Sequence, residues 1–531
     1  MSTATRPTVD GDEELVTESP ARDHGVSGRR VAGNTMVNGL ANVWSALITL
    51  ALTPFLLTHL GRSGYGLWVL ALGLTFTSGY LALADLGLTE ASVKYVAEAD
   101  ARNDVEAMNR VASSTLVVFV VLGLLLGGTM WLTAPILVSW FSIPASLHEA
   151  AVLLFRLMGL EVLVELPTTA LRAVIEGHQR YGWLRLIDIV GRVVWAGLII
   201  TVIAGGHGVV ALATVTLAVA AARGLAAYAV AHRVAPGLRL RPHFVSRATL
   251  REVIALGSMV SGLRVLTVVY AQMDRMIIAA VLTVASVASY EVAFRMQSIA
   301  TLVLVTASSA IVPAAAYNAM RGDQRRQREL YVRGTKYAMV MTLPVCIAGL
   351  LYARALMVGW VGETFSGDAT AARLFLIFPL FASINQVGIA MMIGLGRVRR
   401  VLLYQVIGVG TNLALSIVLA RPWGIRGVVA GTLIGGMVVW APYLRLLLRT
   451  FDVRIGQLVR VAVVPVMIPA MIQIGVGLLT LPLVAQSSSL LVAGMWFATS
   501  CALFGAATMV FGLSRDERES VRNWMPWPRA A

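Results

Sequence analysis

The chain has 531 residues, of which 57% are hydrophobic and 13% charged, with a mean hydropathy of +0.77. Soluble domains carry about a quarter charged residues, so this composition excludes soluble enzymes and binding modules and reads as an all-α polytopic membrane protein. The net charge of +15 does not point to nucleic acid, because the basic residues recur at every second loop instead of forming one patch. Cys346 and Cys501 both lie inside apolar runs, which supports no disulfide framework and reads as packing.

In chain order, the first thirty residues are polar and carry Asp10, Asp12, Glu13, Glu14 and Glu18. They lack the apolar centre of a signal peptide and read as a disordered tail. About 20 apolar residues cross the hydrocarbon of a bilayer. Fourteen such runs are predicted, near 34–58, 66–88, 111–133, 149–170, 184–204, 208–231, 253–282, 288–313, 335–353, 373–394, 400–420, 426–447, 460–482 and 489–513. With the N-terminus inside, inner segments hold 32 of the 43 basic residues and outer loops hold five: Arg62, Arg354, Arg373, Arg421 and Arg426. The positive-inside rule then predicts both termini in the cytoplasm. Prolines within the runs (Pro54, Pro167, Pro313, Pro344, Pro379, Pro465 and Pro469) are candidate kinks.

An internal repeat is visible. Gly177-His-Gln-Arg180 precedes an apolar run and then Gly208-Val-Val-Ala211; Gly394-Leu-Gly-Arg397 does the same and ends in Gly427-Val-Val-Ala430. Two copies of a six-helix unit in the same orientation are expected, with a substrate site between them. The expected organisation is a cytoplasmic tail at 1–30, an N-terminal six-helix lobe at 31–247 and a C-terminal six-helix lobe at 248–450. Accessory helices 13 and 14 follow at 451–514, then a cytoplasmic tail at 515–531. No charged residue lies between Arg460 and Arg515, so the last pair is expected to face lipid or a partner.

Charges inside spans are costly, at least about 2.5–3.5 kcal/mol each, and two groups stand out. The seventh and eighth spans carry Arg264, Asp274, Arg275, Glu291 and Arg295. Eleven residues bring Arg264 and Arg275 back to within about 20° of one helix face, roughly 16 Å apart. Such a stripe suits an anionic substrate, since guanidinium is always charged and grips phosphate through two donors. Equally, Arg275 and Arg295 can pair with Asp274 and Glu291 and pin two helices together. The fourth and fifth spans carry Arg156, Glu161, Glu165, Asp188 and Arg192, which read either as a salt-bridge network within one lobe or as a proton or cation site. Asp85 and Glu90 read as helix caps or partners of Lys94. No paired histidine spacing, HExxH, phosphate-binding loop or CxxC occurs, and the longest outer loop, between Tyr352 and Arg373, has about 20 residues. Those features count against a membrane enzyme.

Several motifs together carry a resemblance. Asn34, Asn38 and Asn42 mark the first span, which runs to Leu60-Gly61 and Tyr65-Gly66; the second ends in Asp85-Leu-Gly-Leu88; the fourth leads into Glu176-Gly-His-Gln-Arg180. The seventh carries Asp274-Arg-Met-Ile-Ile278, followed by Tyr290 and Phe294-Arg295. Over roughly residues 30–515 the chain resembles the polysaccharide transporter (O-antigen-type flippase) branch of the multidrug/oligosaccharidyl-lipid/polysaccharide exporter superfamily. The resemblance implies two lobes around a central cavity that opens alternately to each side and moves a polyprenyl-pyrophosphate-linked oligosaccharide to the outer leaflet. Arg264, Arg275 and Arg295 are then expected to hold the pyrophosphate, and Asn34, Asn38, Asn42, Gln272 and Gln297 either to meet sugar or to bond helix to helix. Glu161, Glu165, Asp188, Arg192, Asp274 and Glu291 form an ion-coupling or structural network. Lipid-linked oligosaccharide and membrane lipids are the expected partners, with polysaccharide polymerase and export machinery as further candidates; no cofactor, metal or nucleic acid is expected. A drug or cation antiporter of the same superfamily would prefer acidic cavity walls, and the first span has no Asp or Glu. A peptidoglycan-precursor flippase would carry arginine there, and the span is uncharged.

Overall fold

The computed structural model describes the backbone over residues 28–75, 79–309, 311–485 and 487–524; within these ranges the side chains of 28–46, 258–264, 309 and 520–524 are outside the description. Asn34, Asn38, Asn42 and Arg264 fall among those side chains. The chain divides into two units, Met1–Val43 and Trp44–Ala531. In the first, the described backbone is helical from Gly28; the second carries everything below.

Among the described residues the structure is helical, with no strand. The helices are α1 (Gly28–Leu72), α2 (Leu88–Ala101), α3 (Val105–Trp140), α4 (His148–Gly177), α5 (Tyr181–Ala204), α6 (Val209–Val234), α7 (Arg247–Val281) and α8 (Val284–Ser309). Then follow α9 (Ile311–Met320), α10 (Gln324–Val361), α11 (Ala369–Gly394), α12 (Val398–Thr450), α13 (Ile455–Leu458), α14 (Val464–Ala485), α15 (Leu490–Ala507) and α16 (Arg515–Trp524). Nine helical stretches among the described residues are long and apolar enough to cross a membrane. One of them, α12, contains two of the predicted spans and is broken at Gly424 (φ 58°). In α1 the break is at Gly61 (φ 68°), a backbone conformation that side chains with a Cβ rarely adopt. The sharp breaks thus fall on glycines, whereas the helical backbone runs on through Pro54, Pro167, Pro344 and Pro379.

Polar side chains set several helix starts. Asp104 accepts from the Ala107 N–H at 2.8 Å and Asp323 from the Arg326 N–H at 2.9 Å, satisfying donors that a helix N-terminus leaves free. Asp85 accepts from the Thr89 N–H at 3.0 Å and the Thr89 hydroxyl at 2.7 Å, the cap expected of it, while Lys94 pairs with Glu98. The predicted second span, 66–88, is not one helix. The Tyr80 N–H donates to the Gly73 carbonyl at 2.9 Å and the Gly79 N–H to that of Thr75 at 3.0 Å. A short 3-10 helix follows at Tyr80–Asp85, and α-helix resumes only at Leu88. The two copies of one repeated motif close in the same way. The Arg180 N–H closes the end of α4 on the Ile175 carbonyl at 3.1 Å, and the Arg397 N–H closes α11 on Met392 at 2.9 Å, with Gln179 and Gly396 both at positive φ.

Helix α4 packs on α3, α5 and α6, α5 also packs on α6, and α10 packs with α11, which in turn packs on α12. The α7–α8 hairpin meets both sets: α7 lies against α2, α3 and α12, and α8 against α10 and α11. Helices α14 and α15 were expected to face lipid or a partner. One side of them lies on α10, where Gln473 donates to the Pro344 carbonyl at 3.0 Å and Tyr352 bonds Thr480 at 2.8 Å; Leu479 and Leu491 remain exposed.

Helix α16 is tied back to α10 through one carboxylate. Glu517 pairs with the buried Lys336 at 2.6 Å, accepts from the Tyr337 hydroxyl at 2.9 Å and caps α16 through the Ser514 N–H at 2.8 Å. Burial pushes this carboxyl up, but the hydrogen bond from Lys336, then those from Ser514 and Tyr337, outweigh it and hold the group at about 2. A carboxyl held below its ordinary value stabilises the folded form above that value and loses the contribution as pH falls toward the folded one. Docking of α16 is therefore expected to be intact at neutral pH and to weaken between about 4.5 and about 2. Glu517→Gln is expected to give the same loosening at pH 7, read as faster hydrogen exchange in α16; unchanged exchange would show that the ion pair does not hold the helix.

Candidate functional site

Residues 274 and 275 are adjacent on α7, so their side chains diverge by about 100° and meet different partners. Asp274 is buried and accepts from three hydroxyls: Thr432 at 2.7 Å and Ser416 at 3.4 Å on α12, and Tyr290 at 2.9 Å on α8. Asn412 Oδ1 and the Val428 carbonyl sit on the same Ser416 and Thr432 hydroxyls, at 2.8–3.3 Å. The result is a carboxyl group in an oxygen-lined cage, with no arginine hydrogen-bonded to it among the described residues. Each hydroxyl has one hydrogen to share among these acceptors; those of Thr432 and Tyr290 lie nearest Asp274 and offset part of the cost of burying it.

Arg275 faces α8. Its Nε donates to Glu291 Oε2 at 2.9 Å and its Nη2 lies 2.7 Å from the same oxygen. Its Nη1 donates to the Ala271 carbonyl and to Gln272 Oε1, the latter at 3.1 Å. The guanidinium lies 4.9 Å over the Phe294 ring, a face that attracts a cation. Arg295, one turn beyond Glu291, places Nη2 2.6 Å from the other oxygen, Oε1. Two guanidiniums thus share one carboxylate. They are not equivalent. The Arg275 side chain is 10% exposed and engaged on every side. Arg295 is 26% exposed, and its Nε has no hydrogen-bond partner among the described residues. Gln297 is buried nearby in sequence on α8, with Oε1 likewise unpartnered.

A second group joins α4, α5 and α6. Arg172 takes both oxygens of Asp188, at 2.8 and 2.9 Å. Arg223 reaches from α6 to Asp188 at 3.3 Å and to Glu165 at 3.2 Å. Its side chain crosses Gly191, where a Cβ would stand 2.9 Å from Arg223 Cδ. Glu161 is buried one turn from Glu165 on α4. Arg192, expected in this network, is exposed and makes no ion pair with the described residues; Arg172 and Arg223 occupy its place. Arg156 lies 5.5 Å over the Trp131 ring. Sequence reasoning placed Arg172 in a loop and gave Arg223 no partner. The available signal was that Arg223 is the one charge within its predicted span and so requires a partner on another helix. Tyr290 stood in a motif, but its bond to Asp274 had no signature, and neither did the parts played by Ser416 and Thr432. No group of three or more His, Cys, Asp or Glu side chains converges as a metal site among the described residues.

The family model described as "Polysaccharide biosynthesis protein" matches residues 60–370, more than half of the chain and all of the α7–α8 hairpin. The chain belongs to this polysaccharide biosynthesis family. No curated protein matches it. Among solved structures, an inward-facing conformation of a multidrug resistance MATE family transporter of the MOP superfamily overlays with a TM-score of 0.63 at 19% identity, covering 76% of this chain and 94% of that one. An outward-facing conformation of a transporter so described overlays at 0.55, also at 19% identity, covering 79% and 94%. A MATE crystal structure in complex with MaL6 overlays at 0.53 and 18% identity, with the same coverage. At these identities the likeness is one of fold: this family member has the helical fold of MATE transporters of the MOP superfamily.

Proposed function

We propose that the protein is a flippase that carries a polyprenyl-pyrophosphate-linked oligosaccharide from the cytoplasmic to the outer leaflet by alternating access, for cell-surface or exopolysaccharide synthesis. It works in a bacterial inner membrane with both termini in the cytoplasm. The observation that carries this reading is the pair of guanidiniums on Glu291, in a chain of the polysaccharide biosynthesis family. A pyrophosphate cannot cross hydrocarbon uncompensated, and an arginine with spare donors meets phosphate with good geometry. Arg295 is the exposed member of the pair and contacts the pyrophosphate; Arg275 holds Glu291 and so orients Arg295. Arg264 lies eleven residues before Arg275 on the continuous helix α7, roughly 16 Å toward its inner end, and receives the same group earlier in transit. The oxygen cage of Asp274 suits a proton or small cation and is the candidate coupling site, while Glu165 and Asp188, already held by arginines, serve structure.

The test is a deletion strain, with the lipid-linked oligosaccharide on the cytoplasmic face measured before and after complementation. Accumulation is expected, cleared by wild type but not by Arg295→Ala or Arg264→Ala, with export reduced about tenfold or more, the scale of one lost charged hydrogen bond of about 1.5–3 kcal/mol. Clearance by both variants as by wild type would remove these arginines from the substrate site. The MATE likeness favours a second reading, a drug or cation antiporter; no accumulation, together with new sensitivity to cationic drugs, would select it.

A further inference from the structure

Basic residues are scarce in the outer loops, and three of the five converge on one short turn, Glu363–Asp368, between α10 and α11. Arg62, just past the break in α1, donates to the Thr364 carbonyl, lies 3.7 Å from Asp368 and stacks 4.2 Å over Phe365. Arg354 pairs with Glu363 at 3.1 Å and Arg426 donates to the Gly367 carbonyl at 3.3 Å. Phe365 is buried, anchoring the turn from beneath.

A second tie runs between the same two segments. Pro54 lies within α1 and has no N–H to donate to the Leu50 carbonyl one turn back. The freed oxygen is taken by the Trp360 indole N–H, at 2.9 Å, from the end of α10. A third tie joins the end of α3 to the α7–α8 turn: the Ser142 N–H donates to the Ala279 carbonyl at 2.9 Å and the Val284 N–H to Ser142 at 3.3 Å. In each, a segment of the first repeat holds one of the second, and all lie at the ends of helices that the charge pattern places outside.

We propose that the Glu363–Asp368 turn is an outer latch: Arg62 and Trp360 hold α1 against it in the closed form, and these contacts break when the transporter opens outward. This rests on the alternating-access reading and on the inward placement of the termini. The polar contacts are few and partly exposed, with Arg62 37% and Asp368 22% accessible, so water can replace them at modest cost. They are suited to repeated opening, unlike the buried Arg275–Glu291 pair. Pro54 contributes by leaving an acceptor that only the closed form satisfies.

Thiol labelling from outside the cell tests this directly. Thr53→Cys in a Cys346→Ala/Cys501→Ala background places a buried reporter ahead of the break in α1, about 10 Å of helix before Leu60. It is expected to react slowly with a membrane-impermeant maleimide. Arg62→Glu, which sets a carboxylate beside Asp368, is expected to speed labelling about fivefold or more, the range of a typical conformational coupling; Arg62→Glu/Asp368→Arg is expected to reverse most of that. Trp360→Phe keeps the ring and removes the indole donor, and is expected to speed labelling even if Arg62→Glu folds poorly. Glu363→Cys, exposed on the turn, is the control and should label equally in every variant. Unchanged labelling of Thr53→Cys in Trp360→Phe and Arg62→Glu would overturn the latch, as would protection of Glu363→Cys from outside. Because the readout needs no substrate, a latch that loosens in a protein that clears no lipid-linked oligosaccharide would leave this inference standing while the substrate assignment failed.

Discussion

Glu291→Ala is expected to destabilise the protein by about 3–5 kcal/mol, the cost of leaving one member of a buried ion pair without its partner. Arg275 would keep its donors to the Ala271 carbonyl and Gln272 but lose the carboxylate that pairs with it, the attraction of the neighbouring Asp274 remaining. Arg295, being partly exposed, would be hydrated instead. The double variant Glu291→Ala/Arg275→Leu is expected to recover most of the loss, since replacing both members of a buried pair by apolar groups is often neutral. Thermal unfolding of purified protein in detergent, with the single and double variants side by side, measures this. A single variant as stable as wild type would mean that Arg275 is compensated by something other than Glu291. A double variant no better than the single would mean that Glu291 acts chiefly through Arg295. The distinction matters for transport, because the proposal gives Arg275 an orienting part and Arg295 the contact with substrate.

Gly66→Ala is expected to be comparably damaging, for a reason that has nothing to do with charge. A Cβ at this position would stand 2.0 Å from the Val284 carbonyl oxygen and 2.9 Å from its carbon. Both are backbone atoms, so no rotamer change relieves the contact, and Val284 is itself held by its N–H to Ser142. Overpacking typically costs about 1–3 kcal/mol where side chains can adjust; here the helices must separate, and a loss at or above the upper end is expected. Tyr65 and Trp68, both buried beside this contact, would move with it. Gly128→Ala on α3 meets no atom within 4 Å and is expected to change stability by less than about 1 kcal/mol. Comparing folded yield and melting temperature of the two alanine variants checks the argument; equal behaviour would sink it.

Much of the molecule was written in local properties of the chain. Apolar runs long enough to cross a membrane had to be helices, because hydrocarbon offers backbone groups no other partner. Repeated turns such as Gly177–Arg180 and Gly394–Arg397 closed with the same hydrogen bonds because a helix end and its turn are made by neighbours in sequence. The family resemblance rested on the same short-range order of motifs. The second span escaped this logic: its composition was apolar enough, yet the turn around Gly73 and Tyr80 interrupts it, and hydropathy does not register a backbone that folds back on itself.

Which charges meet was decided by the tertiary structure alone. Arg156, Glu161, Glu165, Asp188 and Arg192 read in sequence as one group on two helices; Asp188 is reached instead by Arg172 and Arg223, from α4 and α6. The pairing of Asp274 with Thr432 spans 158 positions, and that of Arg62 with Asp368 joins the two repeats. Helical periodicity sets the direction of each side chain but not the rotation and height at which two helices pack. An ion pair depends on all of these to within an ångström or two. The sequence by itself therefore determined a membrane-embedded helical chain with arginines inside its spans, and packing chose their partners: Arg275 is engaged on every side, Arg295 shares Glu291 and stays more exposed, and the Glu363–Asp368 turn is gripped by arginines that stood unassigned in the loops.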